Sequence, residues 1–361
     1  MQLPVDIPAI LKEATDIDAA LNTPLAVSVL IDETAPGDVV GHVRAAFASA
    51  GVRTRVTVGY LQEEPYVPYE GDDMAVVVAG VSEIVGAQAA HLRAAGIPVM
   101  VATNMPRAVE EIAEASGFAI PDGDVVAPRA RAAGSGAVSR IVAVASGQGG
   151  STLVDEPVLE PVPVEGDTAV SLDVRMGEWI IAACRHKKLA FALAFPFVRR
   201  PLSIDAVNAT ALQNGAVGLL PIIPGADMPI MTLNQAKMLL QIAAAYGQPM
   251  STERVKELAC VVGGAFALRN VARSVAGVVP VLGWAVRAGV GYAGTEAMGR
   301  AAIEYFEAGG DIVGFATVVQ KARDGAAQAA ATAAETPTGR KVLAGAKSAA
   351  GEVVRRVRSR S

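Results

Sequence analysis

The sequence predicts two folded parts: an N-terminal α/β domain on a doubly wound parallel sheet, then an all-α domain. Three observations carry this. Between residues 25 and 117, strand-length apolar runs alternate with helix-length runs, and glycines mark the turns. Over 151–167 the chain places Pro157, Pro161 and Pro163 among acids and valines, a density that resists helix and central strand. From residue 168 onward the text is helical. The domains therefore read as 1–150, a Pro-rich linker over 151–167, a helical domain over 168–325 and an Ala-rich basic tail over 326–361.

Taken in order, 25–31 (LAVSVLI) reads as a buried strand and 37–50 as a helix closed by Gly51. The run 53–61 (RTRVTVGYL) alternates polar with apolar residues, the pattern of a half-exposed edge strand. The continuous run 73–79 (DMAVVVA) reads as a central parallel strand. A helix over 82–95 ends at Gly96, a strand spans 98–102, and a helix over 107–116 ends at Gly117. In the second half, helices are expected over 172–198, over 204–220 with Ser203 or Asp205 as N-cap, and over 227–246. Another begins at Ser251 or Thr252. The stretch 278–283 (VVPVLG) then turns a glycine-rich hairpin. On its returning helix Ala285, Gly289, Ala293, Ala297 and Ala301 form a small-residue ridge that suits close helix approach.

Composition excludes several classes. A net charge of −5 over 361 residues gives no pull toward nucleic acid, and the basic tail has no aromatic residue to stack on bases. Cys184 and Cys260 cannot make a zinc site or a disulfide framework, and the three histidines are far apart, so no metal is expected. The first residues lack the basic start of a signal peptide. No run reaches the ~18 apolar residues of a simple membrane span. Mean hydropathy is nevertheless +0.38, which favours an apolar partner or a membrane surface.

The corner between the first strand and helix carries the main functional signal. A phosphate loop there has G-x-x-x-x-G-K-[ST], with bare N–H groups, a lysine and a hydroxyl to hold phosphates and magnesium. Here Asp32 stands at the first glycine, Gly37 keeps the second, Asp38 replaces the lysine and Val39 replaces the hydroxyl residue. An aspartate in the lysine position repels phosphate. No cofactor and no catalytic group are therefore expected.

With this loop and its strand spacing, residues 25–128 resemble the G domain of an Era-like bacterial GTPase. The resemblance implies a guanine-reading N/TKxD after the strand at 98–102. The chain has Thr103, Asn104, Met105 and Pro106 there, so lysine and aspartate are both missing, as is a D-x-x-G signature. A plain Rossmann-like fold accounts for the same text. Farther on, Pro221, Pro224, Gly225 and Asp227, then Tyr246 and Gly247, then Pro280 and Gly283 make residues 219–309 similar to the GTPase-associated helical "domain of unknown function 697". Asp227 also reads as an N-cap.

Arg185, Lys187 and Lys188 precede the apolar segment 189–198 (LAFALAFPFV), and Arg199 and Arg200 follow it. That suits an interfacial helix with snorkelling cations, or equally a core helix with charged ends. Arg355, Arg356 and Arg358 in the tail suit anionic lipid. The expectation is a non-catalytic, membrane-associated scaffold or adaptor at the cytoplasmic face, with a pseudo-GTPase module, a protein partner and an anionic membrane surface. The alternatives are a nucleotide sensor or GTPase-like enzyme with a non-standard site, and an integral inner-membrane component. The oligomeric state is left open.

Overall fold

The structure is a computed structural model, and it describes residues 17, 22–48, 51, 53–129, 139–146, 150–157, 161–219, 227–249, 283–311 and 314. The chain divides into two compact units, Ala20–Leu202 and Met1–Ala19 with Ser203–Ser361.

The first unit is built on five parallel strands: β1 (Leu25–Ile31), β2 (Thr54–Tyr60), β3 (Met74–Val78), β4 (Val99–Ala102) and β5 (Val125–Val126). Their spatial order is β2-β1-β3-β4-β5. This is the flavodoxin-like doubly wound order. All residues of β1 and β3 are buried, as continuous apolar runs in a covered parallel sheet must be. β2 lies at the edge as its sequence predicts, but its exposure does not follow the sequence alternation: Arg55 is exposed, Thr57 and Gly59 are half-buried, and the apolar Val58 and Tyr60 are exposed.

Helices α1 (Gly37–Ala48), α2 (Ile84–Ala94) and α3 (Pro106–Ala115) follow β1, β3 and β4. On one face Leu30, Val77, Val99 and Val101 pack with Val85, Ala89 and Leu92 of α2 and Val109 of α3. Strand alternation sends Val27, Val29 and Ile31 to the opposite face, where α1 buries Val39, Val43 and Phe47. Gly96 and Gly117 end α2 and α3 in the left-handed conformation, φ 82° and 81°. Gly51 does not take it.

The sequence reading closes this domain at residue 150. In the structure it extends to Leu202, because the next helices complete its core. Helix α4 (Gly166–Ala183) buries Leu172, Met176, Ile180 and Ile181, and α5 (Lys188–Ala194) buries Phe191. Phe195 and Phe197 lie edge-on to Phe47, with ring centroids 4.9 and 5.3 Å away. The single helix expected over 172–198 is thus broken. The residue before a proline is driven from the helical region, and Phe195 before Pro196 is extended at φ −125°, ψ 110°. Helix α6 then runs from Pro196 to Leu219, so Ser203 and Asp205 lie inside it and do not cap it. A methyl on Gly177 would meet Pro201 Cγ at 2.7 Å and the Phe197 carbonyl oxygen at 3.1 Å, so only glycine allows this approach.

Part of the expected linker is strand. β6 (Ser139–Ser146) and β7 (Gly150–Pro157) form an antiparallel hairpin in which Val142 pairs with Val154. The β-favouring Thr-Leu-Val of 152–154 precedes the prolines, and the strand stops at Pro157.

The second unit holds α7 (Asp227–Ala245) and α8 (Gly283–Glu307) with residues 203–219 of α6. Its core includes Met231, Met238, Leu239, Leu240 and Ile242 of α7 and Ala302, Ile303 and Phe306 of α8. The small-residue ridge expected on α8 faces outward where it is described: Ala297 and Ala301 are exposed. The close contact comes from Gly299 instead, where a methyl would lie 2.3 Å from Val207. The hairpin turn over 278–282 and the helix expected from Ser251 or Thr252 lie outside the described residues. Among the described residues no helix is long and apolar enough to cross a membrane.

Candidate functional site

In open α/β sheets ligands bind beyond the carboxyl ends of the strands, where the strand order reverses. Here that point lies between β1 and β3. Asp32, the first residue after β1, is only 2% exposed there. Its carboxylate accepts the Thr34 N–H at 3.1 Å, the Thr34 hydroxyl at 2.7 Å and the Gly80 N–H at 2.9 Å. The Thr34 hydroxyl oxygen in turn accepts the Val81 N–H at 2.8 Å. A methyl on Gly80 would lie 2.3 Å from the Thr34 carbonyl, so the two strand-end loops are in direct contact. The donors that an anion would need are taken by the protein's own carboxylate.

Asp38 sits in the first turn of α1, where an acid suits the helix dipole. Its carboxylate accepts the Asn104 side-chain amide at 3.3 and 3.4 Å and the Val164 N–H at 2.9 Å. The Val162 N–H donates to the Asn104 carbonyl at 3.1 Å. Residues 161–165 therefore form a strap fastened to both the start of α1 and the end of β4. Asn104 is 3% exposed, and its side-chain oxygen has no partner among the described residues. Thr103 is fully buried and accepts the Met105 N–H at 3.1 Å; Pro106 opens α3. The start of α1 and the end of β4 thus meet through Asp38 and Asn104. Two of the singled-out residues do not join them. Val39 is fully buried in the core, and the space around Gly37 is open, so nothing there requires glycine.

Thr34, Gly80 and Val164 escape the sequence reading, as does Gln88 of α2. The Gln88 amide donates to the carbonyls of Gln62 and Glu64 at 2.7 and 2.8 Å and accepts the Tyr66 N–H at 3.0 Å. It pins an extended β2–β3 connection where a helix could have stood. The only sequence signal for these roles is a glycine at the end of a valine-rich strand.

Three of the cations around 189–198 are engaged within the chain. Lys187 Nζ lies 2.6 Å from Asp73 and donates to the Pro24 carbonyl at 3.1 Å. Arg185 Nε donates to Ala182 and Arg199 Nε to Ala192, each at 3.2 Å. Lys188 is half-buried and Arg200 exposed. Phe191 and Phe195 have no exposed surface, and Leu189, Leu193 and Phe197 are half-buried, so most of the segment packs into the core. Burial, reinforced by Asp73 and opposed by Lys187, pushes the Cys184 thiol up to about 12.

In the second unit Asp227 opens α7 and Gly283 opens α8. The Tyr246 hydroxyl donates to Glu307 at 3.0 Å, and Gly247 is left-handed at φ 73°. Pro221, Pro224, Gly225, Pro280, Arg355, Arg356 and Arg358 lie outside the described residues. Inside the apolar packing, Asn214 of α6 and Gln235 of α7 both donate to the Thr295 hydroxyl of α8, at 2.9 and 2.8 Å. Asn234 donates to the Asn214 side-chain oxygen at 3.0 Å. Among the described residues no three His, Cys, Asp or Glu side chains gather as metal ligands.

Fold and site define a doubly wound α/β unit whose strand-end corner at β1 and β3 is occupied by its own hydrogen-bonded side chains. Comparison with protein-family models, curated proteins and solved structures returns no match for this chain, so neither family resemblance gains support from it.

Proposed function

We propose that the chain is a non-catalytic protein-binding scaffold or adaptor, whose α/β unit is a pseudo-GTPase-like module with its ligand crevice closed from within. The carrying observation is the Asp32 carboxylate, which takes three donors from Thr34 and Gly80 at the switch point. An incoming phosphate would have to displace a buried, hydrogen-bonded carboxylate and then sit near Asp38, so charge opposes it twice. With nucleotide disfavoured, surface contacts are left as the working part of the unit. The partner is a protein rather than the bilayer interior, since the apolar segment 189–198 packs largely into the core of the first unit.

Calorimetric titration of the full chain with GTP or ATP and magnesium tests the reading. The expected result is no binding tighter than about millimolar, a few kcal/mol at most. Micromolar affinity would overturn it in favour of a nucleotide sensor.

A further inference from the structure

We propose that strand β2 is a self-association edge, on which a second copy of this chain docks to extend the two sheets into one. The backbone of β2 is half unused. Arg53 accepts the Leu25 N–H, and the Leu61 N–H donates to Ile31, so the odd-numbered residues of this strand face β1. In a parallel ladder the even-numbered residues then point away, which turns the N–H and C=O groups of Val56, Val58 and Tyr60 to the free side. Among the described residues β2 pairs only with β1.

This edge lacks the usual guards. Proteins protect exposed edges with prolines, lysines, bulges or very short strands. β2 is seven residues long, unbroken, and carries one charge, Arg55. That charge is engaged within its own chain, 2.7 Å from Asp72 and stacked 4.8 Å over the Tyr69 ring. Meanwhile Val58 is 48% and Tyr60 56% exposed, large values for such side chains on a strand. Val58 lines a groove between β2 and α1 together with Val29, Arg44, Phe47, Ala48, Thr54 and Val56.

The occupant follows from self-complementarity. Laid antiparallel on itself about Thr57, the strand overlaps over its whole length. Thr54 then opposes Tyr60, Val56 opposes Val58, and Thr57 opposes its own copy. Val56 and Val58 both direct their backbone groups outward, so they fall in hydrogen-bonded pairs. Thr57 faces β1 and falls in a non-hydrogen-bonded pair, so the backbone pattern closes at the centre, while the Thr54 N–H at the strand's start is already given to the Gly51 carbonyl at 2.9 Å. Aromatic and β-branched residues meet on the groove face, which is the favoured cross-strand combination. On the other face Arg55 meets Gly59 of the second copy. Centring the pair on Arg55 would set two arginines directly opposite, so charge selects the Thr57 register.

The test uses the full chain and sedimentation equilibrium. Wild type is expected to dimerise. Val58→Pro removes an outward N–H, which an edge strand tolerates, and should raise the dimer Kd about a hundredfold. Val58→Lys leaves the backbone intact and should raise it about tenfold. Circular dichroism checks that each variant folds. Mild oxidation should link Thr57→Cys, whose paired Cα atoms would be ~4.5 Å apart, within disulfide reach. Arg55→Cys, with its copies ~13 Å or more apart along the strands, should not link. A wild-type chain that stays monomeric to its solubility limit overturns the proposal. So does a dimer whose Kd is unchanged in both Val58 variants, or equal crosslinking of the two cysteine variants.

Discussion

Two buried polar clusters, one in each unit, are built in opposite ways. At the end of β1, Asp32 and Thr34 are two residues apart, and they are joined by Gly80 at the end of the neighbouring strand. Their hydrogen bonds close a loop that a parallel sheet would otherwise leave open for a ligand. In the helical unit, Asn214, Asn234, Gln235 and Thr295 come from three helices and from positions up to 81 residues apart. No strand end or helix terminus collects them; packing of the surrounding apolar faces does. The first cluster ties two strand-end loops together. The second ties three helices into one register, because a buried amide that loses its partner costs more than the bond is worth in water.

The largest effect is expected from breaking the first cluster at its tightest point. Gly80→Ala puts a methyl 2.3 Å from the Thr34 carbonyl, so backbone must move. A loss of about 3 kcal/mol in the stability of the α/β unit is expected from such overpacking, read by urea unfolding. An unchanged midpoint would mean that the two strand-end loops are not in contact.

Thr295→Val is the matching change in the helical unit. Valine keeps the shape but removes the hydroxyl that accepts from both Asn214 and Gln235. A loss of about 2 kcal/mol is expected. Thr295→Ser, which keeps the hydroxyl, should recover part of that loss in the same urea series. If valine and serine behave alike, the cluster is packing and not a hydrogen-bonded register.

The smallest effect at neutral pH is expected at Cys184, and it sharpens the contrast between a titrating buried group and these fixed networks. Burial and Asp73 raise its thiol from an ordinary value of 9.0 to about 12. Below 9.0 both folded and unfolded chains hold the proton, and the thiol adds no pH dependence. Above it the unfolded chain ionises first, so stability falls between 9.0 and about 12. Cys184→Ala should flatten that part of the stability profile. Parallel profiles for wild type and variant would show that the thiol does not titrate in this way.

Much of the α/β unit was legible because its signals are local. Valine runs mark strands buried on both faces, alternation marks the edge strand β2, and Gly96 and Gly117 mark helix ends that need positive φ. The strand-to-helix corner that holds Asp32 was legible for the same reason, since the residues after it open α1. What the loop does was not. Asp38 looks like a missing lysine, yet its role comes from Asn104, 66 residues away, and Val164, 126 residues away. Only the strand order brings β4 and the strap to the start of α1.

The same division holds in the helices. Small residues spaced by four on α8 show that one face is small, but not that it is inside; Ala297 and Ala301 point outward, and Gly299 makes the contact. The apolar segment 189–198 could serve lipid or core by composition alone. The neighbouring Phe47 decides it, because aromatic rings bury their area wherever a complementary surface lies within reach. Sequence by itself determined which residues are apolar, where backbone can turn and which phosphate-loop residues are missing. Tertiary structure alone decided which polar groups are paired, since a hydrogen bond between distant residues depends on where the whole chain has placed them.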